Sequence, residues 1–122
     1  MARTTLTKTT PLGSSSAGYA VANAADLTMT ACSGSSGSNG NQFVCGGKDL
    51  VIAHNTGGSA YTITISSVAD PYGRTGDVAT YSLGAGEYGV FGPFDTTGWR
   101  QTDGYIYLEA TNVAVKFGIV AL

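Results

Sequence analysis

The chain has 122 residues, of which only 11% are charged, and its formal net charge is -2. This length suits one domain, and the six Lys and Arg residues lie singly without a basic stripe, so we expect no nucleic-acid partner. No segment reaches the roughly 18 apolar residues of a membrane span, and residues 1–10 lack the apolar run of a signal peptide. We therefore expect no membrane partner and synthesis in the cytoplasm.

The N-terminal part of the chain predicts an arm followed by a domain. Residues 1–16 are rich in Thr and Ser and end in the turn-forming run from Pro11 to Ser16. This composition predicts an extended N-terminal arm at 1–16 and a domain at 17–122. Residues 17–25 are small and fit either a strand or one helical turn, and 26–31 alternate as a first strand.

Two cysteines flank the next segment. Cys32 and Cys45 enclose a loop rich in Gly and Ser. A disulfide across it would stabilise the fold by about 3 kcal/mol in the chain-entropy model, whereas the reducing cytosol favours two thiols, and both alternatives stay open. Two cysteines and one histidine are too few for a four-ligand zinc site, so we expect no metal.

The remainder of the chain predicts a series of strands. Alternating or apolar runs occupy 42–44, 48–54, 61–66, 78–83, 87–91, 105–108 and 113–121. The Asn- and Gly-rich turn at 55–59 is typical of a hairpin between the second and third of these. These strands recur about every ten residues and no segment forms an amphipathic helix, which predicts an all-β sandwich or small barrel. Of the two, we favour a single β-sandwich, jelly-roll-like domain.

Three patterns resemble sites but have simpler interpretations. The glycines at 84, 86 and 89 match G-x-G-x-x-G, but a strand and a break follow instead of a helix, so we expect no dinucleotide cofactor. His54 stands at a strand end, and nothing in the spacing of the sequence places a nucleophile or an orienting carboxylate beside it, which indicates a structural role. Asp70 and Asp77 bracket one loop and could share calcium, but Asp before Pro is also a common turn starter. We therefore expect no enzyme and no cofactor.

Aromatic residues are the remaining candidates for function. Tyr105 and Tyr107 share a strand face opposite Ile106 and Leu108, so one of the two faces must meet something other than the main core of this chain. Tyr and Trp are enriched in oligomer interfaces. We predict an interface that includes Tyr105, Tyr107, Trp99 and, from the arm, Leu6, with a sugar-stacking platform as the alternative.

Several stretches of the second half together suggest a family. They are 51–57, 62–65, 69–74, 90–94 and 103–108. In overall texture, the region 42–122 resembles the head decoration, or cement, proteins of tailed bacteriophages. The segment from Cys32 to Asn41 departs from that pattern as an insertion, so the resemblance implies nothing about a disulfide.

The resemblance implies a structural protein of the virion. Decoration proteins are often β-sandwich or β-tulip domains that sit as trimers on the outer capsid surface and clamp neighbouring major capsid subunits. It implies assembly in the host cytoplasm, a homotrimer as the oligomer, the major capsid protein as partner, and no catalytic residue. The alternative is a glycan-binding β-sandwich module of a phage tail or head surface.

Overall fold

The protein folds into two β-sheets that enclose one apolar core. The computed structural model describes residues 4–11, 26–32, 40–69, 71–73 and 76–122. The strands are β1 (Thr4–Thr5), β2 (Lys8–Thr9), β3 (Thr30–Ala31), β4 (Asn41–Val44), β5 (Asp49–Asn55), β6 (Tyr61–Ile65), β7 (Val78–Leu83), β8 (Tyr88–Phe94), β9 (Tyr105–Ala110) and β10 (Val115–Ala121). A single turn, α1 (Thr96–Trp99), precedes β9. The expected all-β sandwich is confirmed at this level.

The strand order follows a nested pattern. Sheet A has the order β1-β4-β9-β6-β7, and sheet B has the order β2-β10-β5-β8. Strand β3 also pairs with β10, on the same edge as β2. Four antiparallel pairs, β3 with β10, β4 with β9, β5 with β8 and β6 with β7, lie inside one another along the chain. Counted outward from the loop between β6 and β7, each strand from β3 to β6 therefore pairs with the strand that lies equally many strands after the loop.

The core follows from side-chain alternation along the strands. In β5 and β9 every second side chain is buried, and in β10 the same alternation buries Val115, Phe117 and Ile119, because alternate residues point to opposite faces of a sheet. In β6, Ile63 and Ile65 point inward and Thr62 and Thr64 outward. The largest fully buried side chains are Phe43 and Phe117, one from each sheet. The predicted alternation of 61–66 is thus confirmed, with Ile on the core side.

The N-terminal segment closes one side of the sandwich. Strand β1 runs parallel to β4 at the edge of sheet A, and β2 runs parallel to β10 in sheet B. Leu6 lies between them and is only 7% exposed. Of the predicted arm at 1–16, the structure describes 4–11, and 4–9 pairs with both sheets. Residues 12–16 and the segment 17–25 lie outside the described part.

The predicted hairpin between 48–54 and 61–66 is wrong. Strand β5 lies in sheet B and β6 in sheet A, so the turn that joins them crosses between sheets. The same holds for the turn between β7 and β8. Turn residues such as Asn and Gly indicate where the chain reverses, but they do not determine whether the next strand pairs with the previous one or packs across from it.

The outer face of sheet B is partly covered by the segment that leads into β3. A Cβ atom added at Gly118 of β10 would lie 2.6 Å from the Met29 sulfur and 3.0 Å from Leu27 Cδ1. A larger residue at 118 would therefore force the Met29 and Leu27 side chains to move away from the strand. The rest of the outward row, Ile52 of β5 and Val90 of β8, continues beyond this cover to the far edge of the sheet.

Candidate interaction surfaces

The predicted aromatic face of β9 is present. Tyr105 and Tyr107 point outward and are half-buried, while Ile106 and Leu108, which alternate with them, are fully buried in the core. The hydroxyl of Tyr107 donates to a carboxylate oxygen of Asp103, so this ring is held in a fixed orientation. The two rings are therefore presented side by side on the outside of sheet A.

The other two predicted interface residues lie elsewhere. Trp99 is half-buried and packs edge-to-face on Phe94, with ring centroids 4.8 Å apart. Leu6 belongs to the core, which leaves little of its side chain for a partner. The four residues named from the sequence thus do not form one patch.

The two cysteines are thiols and are not joined in a disulfide. The backbone N–H of Cys45 donates to the carbonyl of Gly104, before the start of β9. The sulfur of Cys32 lies 4.0 Å from the carbonyl oxygen of Ala110, at the other end of β9. A strand of this length spans roughly 17 Å, whereas a disulfide requires Cα atoms within about 7 Å. Of the two alternatives left open by the sequence, a disulfide or two thiols, the structure therefore has two thiols.

The residues that resembled sites make the following contacts. His54 stacks on the ring of Tyr88, with centroids 3.8 Å apart and planes 6° apart. The glycine-rich motif forms the turn from β7 to β8, where Glu87 accepts a hydrogen bond from the N–H of Gly84 at 2.7 Å. Asp70 lies outside the described residues. Among those described, no group of three His, Cys, Asp or Glu residues is placed to hold a metal ion.

Asn55 is a residue that the sequence analysis missed. Its side chain is fully buried. The Nδ2 group donates to the carbonyls of Ser59 (2.7 Å) and Leu83 (2.9 Å), and Oδ1 accepts the N–H of Gly57 (2.9 Å). Because Leu83 ends β7 in sheet A and Asn55 ends β5 in sheet B, one amide joins the two sheets. The run of Asn, Thr, Gly and Ser at 55–59 indicated a turn, and no local signal indicated the burial of Asn55.

The loop between β6 and β7 is closed at its base by Ser67 and Asp77. Asp77 Oδ1 accepts the Ser67 hydroxyl at 2.6 Å and the Ser67 N–H at 2.7 Å, and the Ser67 hydroxyl oxygen accepts the N–H of Gly76 at 2.9 Å. These bonds hold the pKa of Asp77 below its ordinary value, chiefly through the hydroxyl. The loop carries Tyr72, whose side chain is highly exposed.

This arrangement predicts the acid titration of Asp77. A carboxyl with a lowered folded-state pKa stabilises the protein above its unfolded pKa, and this contribution is lost as pH falls through the folded value. In an NMR titration of the carboxyl carbons, we expect Asp77 to titrate below the ordinary value of about 3.9. Ser67→Ala should raise its pKa, whereas Ser82→Ala, on an exposed strand position, should not. An unchanged midpoint in Ser67→Ala would contradict the assigned cause.

A further apolar surface lies where β7 and β8 form the edges of their sheets. Tyr81 of β7 and Phe91 of β8 meet edge-to-face across the gap between the sheets, with centroids 5.1 Å apart. Tyr88 and Val90 continue this surface around the edge onto the outside of sheet B, and both are largely exposed. We call these four residues the β7–β8 side.

Comparison of the chain with family models, curated proteins and solved structures found no match. The resemblance to decoration proteins therefore stays a prediction. In the described part of the chain, no helix has the length and apolar character to cross a membrane.

Proposed function

We propose that this protein is a decoration protein of a tailed-phage virion, which binds the outer capsid surface and bridges major capsid subunits. The surface carries the proposal. Large side chains, including Val44 and Tyr72, are exposed on a double-sheet scaffold, and charged residues are only 11% of the chain. Protein interfaces are enriched in aromatic residues and depleted of Lys and Glu. A surface of this kind is suited to binding protein.

The finer fold belongs to the same proposal. We infer that the sandwich is a jelly roll, in which a long antiparallel ribbon is wrapped so that strands alternate between two sheets. The nested pairs β3–β10, β4–β9, β5–β8 and β6–β7 support this class. Strands β1 and β2 would then be additions from the N-terminal arm, placed at the edges of both sheets.

In the proposed mechanism, the copies stabilise the capsid through the sum of their binding free energies. Each copy that binds adjacent capsid subunits adds its binding free energy to the closed shell and opposes its opening by mass action. We propose that the copies associate as trimers and that exposed residues of the arm, Thr4, Thr5 and Thr7, contribute to the capsid contact. The protein would be assembled onto the capsid in the host cytoplasm.

The experiment is the copy number of the protein in purified virions of the phage that encodes it, by quantitative mass spectrometry. We expect a ratio near one, or near a simple fraction of one, to the major capsid subunit. A second readout is the temperature at which the capsid opens, which should fall in particles that lack the protein. Absence from the virion would overturn the proposal, and a handful of copies would place the protein at a tail or vertex.

Glycan binding is the second candidate function. It is supported by Tyr105 and Tyr107, whose rings lie on one outer face with Tyr107 held by Asp103. Aromatic rings on a flat face can stack on sugar rings. Titration with oligosaccharides, followed by the NMR signals of both rings and the fluorescence of Trp99, would show saturable changes for a glycan-binding module. No change with any oligosaccharide would remove this candidate.

A further inference from the structure

We propose that the β7–β8 side, formed by Tyr81, Tyr88, Val90 and Phe91, is the surface through which copies of this chain associate with one another. The inference rests on the part of the proposed function in which the protein is a homo-oligomer. It is independent of capsid binding, because the isolated protein tests it.

The backbone of β8 supplies the first argument. The N–H of Asn55 donates to the carbonyl of Glu87 at 3.0 Å, and the register continues with Ala53 opposite Gly89 and Val51 opposite Phe91. Because hydrogen-bonded and non-bonded pairs alternate in an antiparallel ladder, the backbone groups of Tyr88 and Val90 point away from β5. In the described part of the chain no other strand pairs with this edge.

The side chains on this edge supply the second argument. Val90 is 64% exposed and Tyr88 is similarly exposed, and Tyr81 and Phe91 fill the gap beside them. Natural proteins usually protect an exposed edge with lysine, proline or a very short strand. Here the edge from Tyr88 to Phe91 has no charge, and proline enters only at Pro93. The edge of β8 therefore lacks the usual protection against pairing with a strand of another molecule.

The opposite side of the sandwich differs. There the edge strands β1, β2 and β3 are two residues long, and 4–9 crosses from one sheet to the other over Leu6. Short edge strands offer few backbone groups to a partner. In the part of the chain that the structure describes, the long open edge used in this inference is thus that of β8.

The near absence of charge on this side fits a second copy of the chain as its occupant. Between 78 and 94 the only charged residue is Glu87, and its carboxylate is turned back onto the N–H of Gly84. A basic or acidic partner would find no complementary charge here. Another copy of this chain, in which only 11% of residues are charged, can approach this side without strong like-charge repulsion, add a strand to the open edge of β8 and bury its aromatic rings.

The first test is the mass of the protein in solution by light scattering, at roughly 100 µM, a range in which modest interfaces associate. We expect an oligomer in the wild type and a dissociation constant about tenfold or more higher in Val90→Lys. Val113→Lys is the matched control, because Val113 is also 64% exposed but lies in the turn before β10. Thermal unfolding of the monomers checks that both variants fold.

Amide hydrogen exchange is the second test and carries its own control. In the oligomer the amides of Tyr88 and Val90 should be protected, and dilution or Val90→Lys should expose them. The amides of Gly89 and Phe91 point towards β5 and should stay protected throughout. A monomeric wild type, equal effects of Val90→Lys and Val113→Lys, or exchange at Tyr88 and Val90 that ignores concentration would each overturn the inference.

The failure of this inference is distinguishable from the failure of the proposed function. Copy number on the virion tests capsid binding and does not depend on self-association in solution. A protein found on the capsid but monomeric when isolated would overturn the inference alone. An oligomer disrupted by Val90→Lys but absent from the virion would overturn the proposed function alone.

Discussion

Replacing Asn55 with aspartate is expected to lower the free energy of unfolding by about 3–5 kcal/mol, since each buried polar group left unpaired costs roughly 1–3 kcal/mol. The substitution keeps the oxygen that accepts Gly57 but removes the Nδ2 donor, so the carbonyls of Ser59 and Leu83 lose their partner. A carboxylate oxygen would then face both carbonyl oxygens inside the core. Small domains have only about 5–15 kcal/mol of stability, so this loss is a large share.

The measurement is urea unfolding followed by the fluorescence of Trp99. Asn112→Asp is the matched control, because Asn112 also sits in a turn and its Oδ1 accepts the N–H of Ala114 at 2.8 Å, a bond that aspartate retains. We expect the control to stay within about 0.5 kcal/mol of the wild type. Equal stabilities of the two variants would show that the Asn55 amide does not join the sheets.

Asn55 also shows how far the sequence can predict this fold. The strands at 49–55, 61–65 and 78–83 were predictable, because alternation is a local property of the chain. The turn at Asn55 was predictable for the same reason. That the turn crosses to the other sheet, and that its Asn is buried against Leu83, depends on contacts between segments far apart in the chain, which no local pattern contains.

The candidate surfaces divide in the same way. That Tyr105 and Tyr107 share one face follows from their alternation with Ile106 and Leu108, whereas only the structure shows that this face points outward. The β7–β8 side could not be predicted, since Tyr81 and Phe91 are brought together by strands of different sheets. The sequence shows that residues 88–94 carry no charge, but this indicates an interface only when β8 is known to be an edge strand.

Replacing Leu6 with alanine is expected to destabilise the protein by about 2–3 kcal/mol, near the lower end for a buried leucine because it lies at the side of the core. Deletion of residues 2–9 should cost more. It also removes Lys8, whose ammonium lies 3.0 Å from the nearly buried carboxylate of Asp49, and a buried carboxylate left without its ion-pair partner destabilises a fold strongly. Thr7→Ala, at an exposed position between the two strands, is the control and should have little effect.

This prediction decides what the N-terminal segment is. If it only formed an arm that meets the capsid, a chain without residues 2–12 would fold normally and merely bind less. Pairing of 4–9 with both sheets predicts instead that the deletion lowers the unfolding midpoint of the isolated protein, so its loss from capsids would not identify a capsid contact. Substitutions of the exposed Thr4 and Thr7, which leave Leu6 and Lys8 in place, separate the two roles. Weaker capsid binding by these variants at unchanged stability would assign the exposed side of the segment to the capsid, whereas a deletion of 2–9 with wild-type stability would remove the segment from the sandwich.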